Sequence, residues 1–438
     1  MDADLLEIER KILDKLVGRF VGIADPERRA DLIRLTAQTI EPSVSEDKIK
    51  QIIADIDDLN PIGKYLYDEF IEDIMVNNTK DIFLYDSKSG GRNTGEKIAD
   101  RDSLELLVKK LKLYATNESS KGNILDIHMP SGSRTNIVSS PLGYDITIRN
   151  FKKKALSILD LINLGELDYQ IAARLWIYAD GFAVRPANIL IGGMPASGKT
   201  TLLNAMFSFI RPEERVITIE ETYELNTETQ DNCVRLETSE DTDMESLVKN
   251  ALRMRPDRII VGEVRGAEAK DMLTAMNIGK IGMCTVHSSS ARDTINRLQY
   301  APMNVPVETL SAIDAIIVTS QVFKARKPIR KVIQISEISG LETQVLLSDL
   351  YKFDYKTFSS MNILPSVTYR DALSKIIGIV PQDILVEESV RAAVLLAMNN
   401  QGIRDIKSIS QMVREYYDNP EAVLAKLGLN NLRPVITR

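Results

Sequence analysis

The chain has 438 residues, a formal net charge of −7 and two cysteines. Its length exceeds one ordinary core and predicts two or three domains, while its acidic charge argues against a nucleic acid as the main partner. We expect a cytoplasmic protein, because no window approaches the roughly 18 consecutive apolar residues that span a bilayer and the start lacks the basic residues of a secretory signal.

Helices are predicted first along the chain, over residues 1–60. Apolar residues recur there at helical spacing, as at Ile8, Ile12 and Leu16. A small α+β domain is predicted over residues 61–151, from one helical pattern and several short segments bounded by turn residues. The predicted helix covers 103–114, the strands cover 81–86, 124–128, 134–138 and 145–151, and the turns cover 89–92, 130–133 and 141–143.

The pattern then changes to strands that alternate with helices. After a basic linker and leading helices at 152–186, it predicts an α/β domain at 187–355 with a mostly parallel, doubly wound sheet covered by helices on both faces. The predicted strands are 188–191, 216–219, 258–261, 283–286, 315–318 and 331–337. Residues 356–438 return to helical spacing, as at Val386, Val390 and Val394, and predict a short helical C-terminal appendage.

A phosphate-binding motif stands near the start of the α/β domain. Residues 193–200 have the sequence GMPASGKT, which fits G-x-x-x-x-G-K-[ST] between an apolar strand and a helical pattern. This order directs backbone N–H groups and the positive end of the helix toward phosphates. Lys199 is expected to bridge the outer phosphates and Thr200 to ligate Mg²⁺. We assign the contacts with the nucleotide to Gly193, Met194, Pro195, Ala196, Ser197, Gly198, Lys199, Thr200 and Thr201.

Acidic residues follow two other predicted strands. Glu263 ends an apolar run, as expected of a glutamate that orients or deprotonates the attacking water. Many P-loop enzymes have a metal-binding Asp just before it, where this chain has Gly262, so Glu220 and Glu221 are predicted to supply the metal with carboxylates. Alone, these acids and Glu224 would equally fit a solvated strand exit. Whether Glu263 or an acid of the 220–224 cluster takes the proton from water stays open.

Five further residues are conspicuous. His287 follows a third predicted strand, which favours a catalytic sensor of the terminal phosphate, although a lone histidine is more often a satisfied hydrogen-bonding residue. His128 has no such context and is expected to be structural. Trp176, Cys233 and Cys284 are expected in the core, because the tryptophan lies in a helical apolar stripe and the cysteines lack metal-ligand spacing.

Several segments together resemble the secretion ATPase superfamily, the hexameric motors of type II and type IV secretion, type IV pili and the archaellum. Four of them correspond to the Walker A loop, acidic box, Walker B strand and histidine box of that family: GGMPASGKTT at 192–201, ITIEETYEL at 217–225, ALRMRPDRIIVGEVRGAEA at 251–269 and MCTVHSSSARDTINRL at 283–298. The first domain is similar through EDIMVNN at 72–78, DIHMPSGSRTNI at 126–137 and ITIRNF at 146–151. The resemblance covers about residues 60–355 and implies a RecA-like P-loop ATPase domain.

Arginine roles come only from this resemblance. It implies that Arg134 and Arg149 reach the nucleotide as the first domain closes on the second, and that Arg235 is a contact in trans. From the residues alone, Arg134 and Arg149 would equally be partners in surface salt bridges. The likeness is closest to the pilus assembly and tight-adherence branch and its archaeal relatives, whose tails are similar to VREYYDNP at 413–420, so an archaeal source is plausible.

Departures from the family pattern are few. Glu221 stands where many relatives have Asp, and Met194 and Pro195 replace a more usual Thr-Gly pair. Neither change removes a group that the chemistry requires. Two cysteines cannot build the zinc module of other branches.

The resemblance implies a cytoplasmic ATPase at the inner face of the cell membrane, with ATP and Mg²⁺ as its ligands. A homohexamer would couple ATP hydrolysis to domain closure and to assembly of pilin or secreted protein through an integral membrane platform protein, with the helices before residue 60 as docking surface. One alternative is a ring-shaped nucleic-acid motor, although a basic stripe with interleaved aromatics is not evident. Another is a non-hydrolysing, nucleotide-sensing subunit, which the intact Lys199, Thr200 and Glu263 disfavour.

Overall fold

The computed structural model describes residues 3–17, 25–68, 70–86, 90–115, 117–129, 132–150, 155–239, 241–324, 327–342 and 344–435. The chain divides into two compact units, Met1–Lys154 and Ala155–Arg438. The predicted basic linker at 152–154 lies outside the described residues. In these ranges we find no helix that is long and apolar enough to cross a membrane.

The first unit combines helices with a seven-stranded antiparallel sheet of order β3-β2-β1-β7-β6-β5-β4. Its elements are α1 (Ala3–Leu16), α2 (Pro26–Ile40), α3 (Glu46–Asp58), α4 (Gly63–Leu66), β1 (Ile71–Asn77), β2 (Asp81–Asp86), β3 (Gly90–Lys97), α5 (Arg101–Leu113), β4 (Asn117–Lys121), β5 (Ile124–His128), β6 (Arg134–Ser140) and β7 (Gly143–Arg149). The predicted turn at 89–92 is wrong, because these glycines pair with β2 as the start of β3. Strands β1 and β4 were not predicted.

Helix α5 connects the two layers of this unit. Its Leu104 and Leu107 belong to the core under the sheet, whereas Leu106 and Leu113 pack with buried residues of α1, α2 and α3. The N-terminal helices therefore share a helix with the α+β layer.

The second unit contains a nine-stranded sheet of order β10-β9-β11-β12-β8-β13-β14-β15-β16. Its strands are β8 (Ile189–Gly193), β9 (Val216–Glu220), β10 (Cys233–Glu237), β11 (Arg258–Val264), β12 (Ile281–His287), β13 (Ala315–Lys324), β14 (Lys327–Leu341), β15 (Val345–Asp354) and β16 (Ser359–Asn362). Its helices are α6 (Ile158–Asn163), α7 (Tyr169–Asp180), α8 (Lys199–Met206), α9 (Met244–Ala251), α10 (Glu268–Asn277), α11 (Ala291–Gln299), α12 (Thr368–Ile377), α13 (Pro381–Asn400), α14 (Ile406–Asp418) and α15 (Pro420–Lys426).

The first six strands in this order run parallel, and β14, β15 and β16 are antiparallel. Side chains alternate between two cores: Ile189 and Ile191 of β8 face the core that includes α7 and α8, while Leu190 faces the core that includes α9, α10 and α11. The sheet is thus covered on both faces, which confirms the predicted α/β, doubly wound, RecA-like domain.

The C-terminal helices pack into the same core as α7 and α8. Val390 and Val394 of α13 are buried as predicted, but Val386 of the same stripe is exposed. Glu337 of β14 attaches this region to the sheet. Its buried carboxylate accepts hydrogen bonds from the backbone N–H groups of residues 368 and 369 at the start of α12. The predicted helical C-terminal region is therefore present.

Two predicted core residues in this unit are confirmed. Trp176 is buried, stacks on Phe209 and donates from its indole N–H to the Tyr417 hydroxyl. Cys284 is buried within β12, whereas Cys233 is only half-buried at the start of the edge strand β10. Neither cysteine is in a disulfide.

Candidate active site

The carboxyl ends of four adjacent parallel strands carry the predicted site residues. In the order β9, β11, β12 and β8, these ends lead to Glu220, Glu263, His287 and Gly193. Register places His287 directly beside Gly193. Ligands bind at this edge of open α/β sheets, so the strand order itself assembles the candidate site.

The loop between β8 and α8 has the backbone of a phosphate cradle. Ala196 and Gly198 have φ values of +59° and +94°, and Gly198 is the N-cap of α8. A Cβ on Gly193 would overlap the Ser197 hydroxyl and lie 2.6 Å from Thr319 Oγ1, so only glycine fits there. The N–H groups of the first helical turn have no intrahelical acceptor, which leaves them for phosphate oxygens.

Lys199 folds back over this loop. Its Nζ donates to the carbonyl oxygens of Gly193 and Met194, at 2.9 and 3.3 Å. Burial, together with the nearby Arg265, lowers the pKa of Lys199, while Glu263 and Glu224 act against that shift. The ammonium is thus held at the mouth of the loop.

The residues that flank Lys199 complete the loop. Ser197 is buried and its hydroxyl lies 3.0 Å from Thr319 Oγ1 on the neighbouring strand β13. Thr200 and Thr201 are half-buried in the first turn of α8, whereas Met194 is exposed with Pro195 at the outer surface. The loop is therefore anchored on one side and open on the other.

Glu263 lies next to Lys199. Its Oε1 is 4.0 Å from Lys199 Nζ, and its Oε2 accepts a 2.7 Å hydrogen bond from Arg265 Nη2. Within the described ranges, Oε1 is buried and without a hydrogen-bond partner. Burial of a carboxylate oxygen beside a cation leaves an acceptor for a water or a ligand.

Glu220 is placed differently from Glu263, although both end parallel strands. It is only 2% exposed, and its Oε1 accepts 2.8 Å hydrogen bonds from the backbone N–H groups of Glu224 and Leu225. Burial raises the pKa of Glu220 to about 7, against these bonds and the nearby Arg235. A Cβ on Gly262 would contact Cγ of Glu220 at 3.4 Å, so Glu220 lines the space beside Gly262.

Arg265 links the two acidic segments and was not assigned from the sequence. Its Nη1 lies 3.2 Å from both carboxylate oxygens of Glu221, while Nη2 holds Glu263. Glu221 and Glu224 are exposed, unlike Glu220. The signal available in the sequence was the spacing of two residues between Glu263 and Arg265, which places both side chains on one face of β11 and the residues after it.

His287 stands beside the phosphate loop at the end of β12. The backbone N–H of the next residue, Ser288, donates to the Gly193 carbonyl at 3.4 Å. Burial and the nearby Lys199 lower the pKa of His287. This shift favours the neutral imidazole, which can both donate and accept a hydrogen bond.

The predicted arginines fall on both units. Arg235 on β10 stacks over Tyr223, with 4.3 Å between its guanidinium carbon and the ring centre, and lies 3.5 Å from Glu220 Oε2. In the first unit, Arg134 and Arg149 are direct register partners on β6 and β7. The Nε of Arg149 also lies 4.0 Å from Asp73 Oδ1, which is the surface salt bridge that the residues alone allowed.

The described residues contain no preformed metal-binding cluster. Among the residues placed by the structure, no cluster of three or more His, Cys, Asp and Glu side chains could hold a metal. Magnesium usually takes one or two protein ligands together with phosphate oxygens and water. The hydroxyl of Thr200 and the exposed carboxylate of Glu221, which Arg265 also contacts, fit that sparse donor set, whereas Glu220 is buried against backbone N–H groups.

Comparison with known proteins places the chain in a family. Residues 55–331 match the family described as Type II/IV secretion system protein. The chain is 40% identical to protein MJ0781 of Methanocaldococcus jannaschii over 50% of this chain and 32% of that protein. It is 30% identical to protein MJ0900 of the same organism over 84% of this chain and 69% of that protein.

A bacterial relative carries a functional name. The type IV secretion system protein VirB11 of Bartonella henselae is 30% identical over 53% of this chain and 76% of that protein. The match with MJ0781, by contrast, spans about a third of that relative's length. The chain belongs to the type II/IV secretion system protein family, within the secretion ATPase superfamily.

Proposed function

We propose that this protein is a Mg²⁺-dependent ATPase that drives a secretion, pilus or archaellum-like assembly system. One observation carries the proposal: the loop at 193–200 holds Lys199 4.0 Å from Glu263, whose Oε1 has no hydrogen-bond partner in the described part of the chain. Cleavage of a terminal phosphate needs a cation on the phosphates and an acceptor for the attacking water. Lys199 supplies the cation, and Glu263 supplies the acceptor.

Each residue of the site has a proposed part in hydrolysis. Lys199 binds the outer phosphates, and Glu263 orients the water and accepts its proton. His287, whose pKa is lowered by burial and by Lys199, contacts the terminal phosphate as a sensor. Thr200 and the exposed Glu221 would hold the magnesium ion, which would supply charge neutralisation on the phosphates.

Glu220 and Glu224 receive lesser parts. Glu220 fixes the turn after β9 through its two backbone hydrogen bonds, and this support favours Glu263 over Glu220 as the base. Glu224 is exposed, and its negative charge raises the pKa of Lys199 and so favours the charged ammonium.

Domain closure is the proposed link between hydrolysis and mechanical work. The facing arginines Arg134 and Arg149 would contact the nucleotide as the first unit closes, and Arg235 would contact the nucleotide of a neighbouring subunit in a homohexamer. A ligand shared between two units favours the closed state through its differential contacts, and hydrolysis removes them. The motor would act at the cytoplasmic face of the membrane on an integral membrane platform protein.

ATP turnover tests this function. We expect the parent to release phosphate from ATP in the presence of magnesium, and Lys199→Ala to lose both turnover and saturable nucleotide binding. Lys249→Ala, which removes an exposed lysine from α9, is the control and should match the parent. A parent that binds ATP without turnover would instead support the nucleotide-sensing subunit.

A second arm addresses the nucleic-acid motor. Single-stranded DNA and RNA are added at low and at physiological salt, and turnover and binding are measured. We expect no stimulation, since the chain is acidic overall. Salt-dependent binding together with stimulated turnover would overturn the secretion proposal in favour of a nucleic-acid motor.

A further inference from the structure

The phosphate-binding loop is braced by a residue that lies far along the chain. Arg330 is on β14, which is two strands away from β8 in the sheet. Its Nε donates a 3.0 Å hydrogen bond to the carbonyl oxygen of Ala196, at the tip of the loop. The contact spans 134 residues of sequence and joins the antiparallel part of the sheet to the phosphate site.

The residue that accepts this bond has an uncommon backbone conformation. Ala196 has a φ of +59°, in the left-handed region that residues with a Cβ rarely occupy. Such a conformation persists only where the surroundings hold it. Because Arg330 binds the Ala196 carbonyl, it restrains the peptide that joins Ala196 to Ser197, whose N–H donates to the Met194 carbonyl at 3.2 Å.

A second contact brings Arg330 to the start of α8. A Cβ built on Gly198, the N-cap residue, would lie 3.3 Å from Arg330 Cδ and 3.6 Å from Glu166 Oε2. Arg330 and Glu166 therefore line the same side of the loop within a few ångströms of each other. This side is the one where Gly198 turns the chain into the helix that carries Lys199.

Glu166 is held firmly in this position. It is 7% exposed, and its carbonyl oxygen accepts a 2.8 Å hydrogen bond from the N–H of Val332 on β14. Burial raises the pKa of its carboxyl to about 7, although the cations of Arg330 and Lys331 act against the shift. The segment between α6 and α7 is thus fixed to the strand that carries Arg330.

We propose that Arg330 is a positioning residue for the nucleotide: it holds the loop at 193–200 in its phosphate-binding conformation, with Glu166 as the side chain that packs beside it. This inference rests on the proposed ATPase function of the same loop. A loop that is already ordered loses less conformational freedom when phosphates bind. Arg330 therefore acts on nucleotide affinity and not on the bond that breaks.

Steady-state kinetics of Arg330→Ala test the inference. We expect the KM for ATP and the Kd for a fluorescent ADP analogue each to rise about tenfold, the equivalent of one charge-assisted hydrogen bond, while kcat stays within about twofold of the parent. Arg330→Lys keeps a cation that can donate to Ala196, and should recover part of the lost affinity.

Arg215→Ala is the matched control. Arg215 also donates from its Nε to a backbone carbonyl, that of Met254 at 2.8 Å, but it precedes β9 at the amino end of the strands. We expect this variant to keep the parent KM. Its thermal unfolding midpoint, measured beside that of Arg330→Ala, separates a loss of stability from a loss of loop order.

Two results would overturn the inference. One is an Arg330→Ala variant with the KM and Kd of the parent. The other is a lower kcat at unchanged KM, the sign of a partly unfolded preparation and hence of a merely structural role. Failure of the ATPase proposal is distinct, because then the parent itself would show no saturable binding or turnover whatever residue stands at 330.

Discussion

Glu220 and Glu263 lie at the carboxyl ends of neighbouring parallel strands, yet their carboxylates have opposite surroundings. Glu220 is buried and gives one carboxylate oxygen to two backbone N–H groups of the next turn. Glu263 is partly exposed, faces Lys199 and keeps an oxygen that no hydrogen bond uses within the described residues. An apolar strand that ends in glutamate therefore does not define a role. What decides the role is whether the following residues turn back on the carboxylate.

The ends of β9 and β11 also contact each other, through Gly262 and Arg265. Gly262 leaves room beside Glu220, so the chain keeps a carboxylate next to the proposed base even though no aspartate precedes Glu263. Arg265 then joins Glu263 to Glu221 across the gap between the two strands. The acidic edge is thus divided into one structural carboxylate and two that share a guanidinium.

The largest expected effect is a loss of kcat in Glu263→Gln, and its absence would contradict the contrast between Glu263 and Glu220. Glu263→Gln removes the proposed acceptor of the proton from water, so kcat for ATP should fall about 100-fold or more while nucleotide binding is retained. Glu220→Gln keeps an oxygen for the two backbone N–H groups, so its kcat should fall less than about fivefold. Turnover assays with both variants make the measurement. Equal losses, or a larger loss in Glu220→Gln, would reverse the assignment.

A smaller effect concerns the guanidinium that joins the two acids. Arg265→Ala removes the 2.7 Å hydrogen bond that orients Glu263, and kcat should fall about tenfold. Arg34 offers a matched control, because it also joins two carboxylates, those of Asp31 and Glu46, on the N-terminal helices. Arg34→Ala should keep the parent kcat in the isolated protein. An Arg265→Ala variant with parent kcat would show that Glu263 needs no orienting donor.

The pH dependence of stability tests the same contrast through the raised pKa of Glu220. Its pKa is about 7 in the folded chain and 4.5 in the reference state, so the folded protein binds more protons between these values. The free energy of unfolding of the parent therefore falls as pH rises from 4.5 to 7, by roughly 2 to 3 kcal/mol through this group. Urea unfolding at pH 5 and pH 8 should show a loss that is smaller by this amount in Glu220→Gln than in the parent, because Glu166, whose pKa is also raised to about 7, contributes to the loss in both.

The matched control for that experiment is Glu228→Gln, which changes an exposed glutamate in the same region. It should follow the pH dependence of the parent. Comparing the change between the two pH values also cancels any constant difference that the amide of Gln makes near Arg235. If Glu220→Gln had the same pH dependence as the parent, the carboxyl would not carry the raised pKa.

Much of the second unit could be predicted from the sequence, because its central parallel strands are buried on both faces and therefore consist mainly of apolar residues. The strands β8, β9, β11 and β12 begin within a residue or two of their predicted starts. The loop at 193–200 was also predictable, since its chemistry depends on local spacing. His287 stands beside the loop because strand order, and not sequence distance, places β12 next to β8.

Other features had no local signal. Strand β3 is made of polar residues and glycines, and it exists because β2 offers it hydrogen bonds. Strand β15 was not predicted within the α/β domain at 187–355, and β16 extends the sheet beyond that domain. The contacts of Arg330 with Ala196 and of Ser197 with Thr319 join segments more than 100 residues apart, and only the folded chain brings them together.

The structure of Glu263→Gln with bound ATP and magnesium tests the central claim most directly. We predict intact ATP with its phosphates on the backbone N–H groups of residues 193–200, its terminal phosphate against Lys199, and the side chain at position 263 facing that phosphate. ATP bound elsewhere, or phosphates on this loop with position 263 turned away from them, would contradict the account.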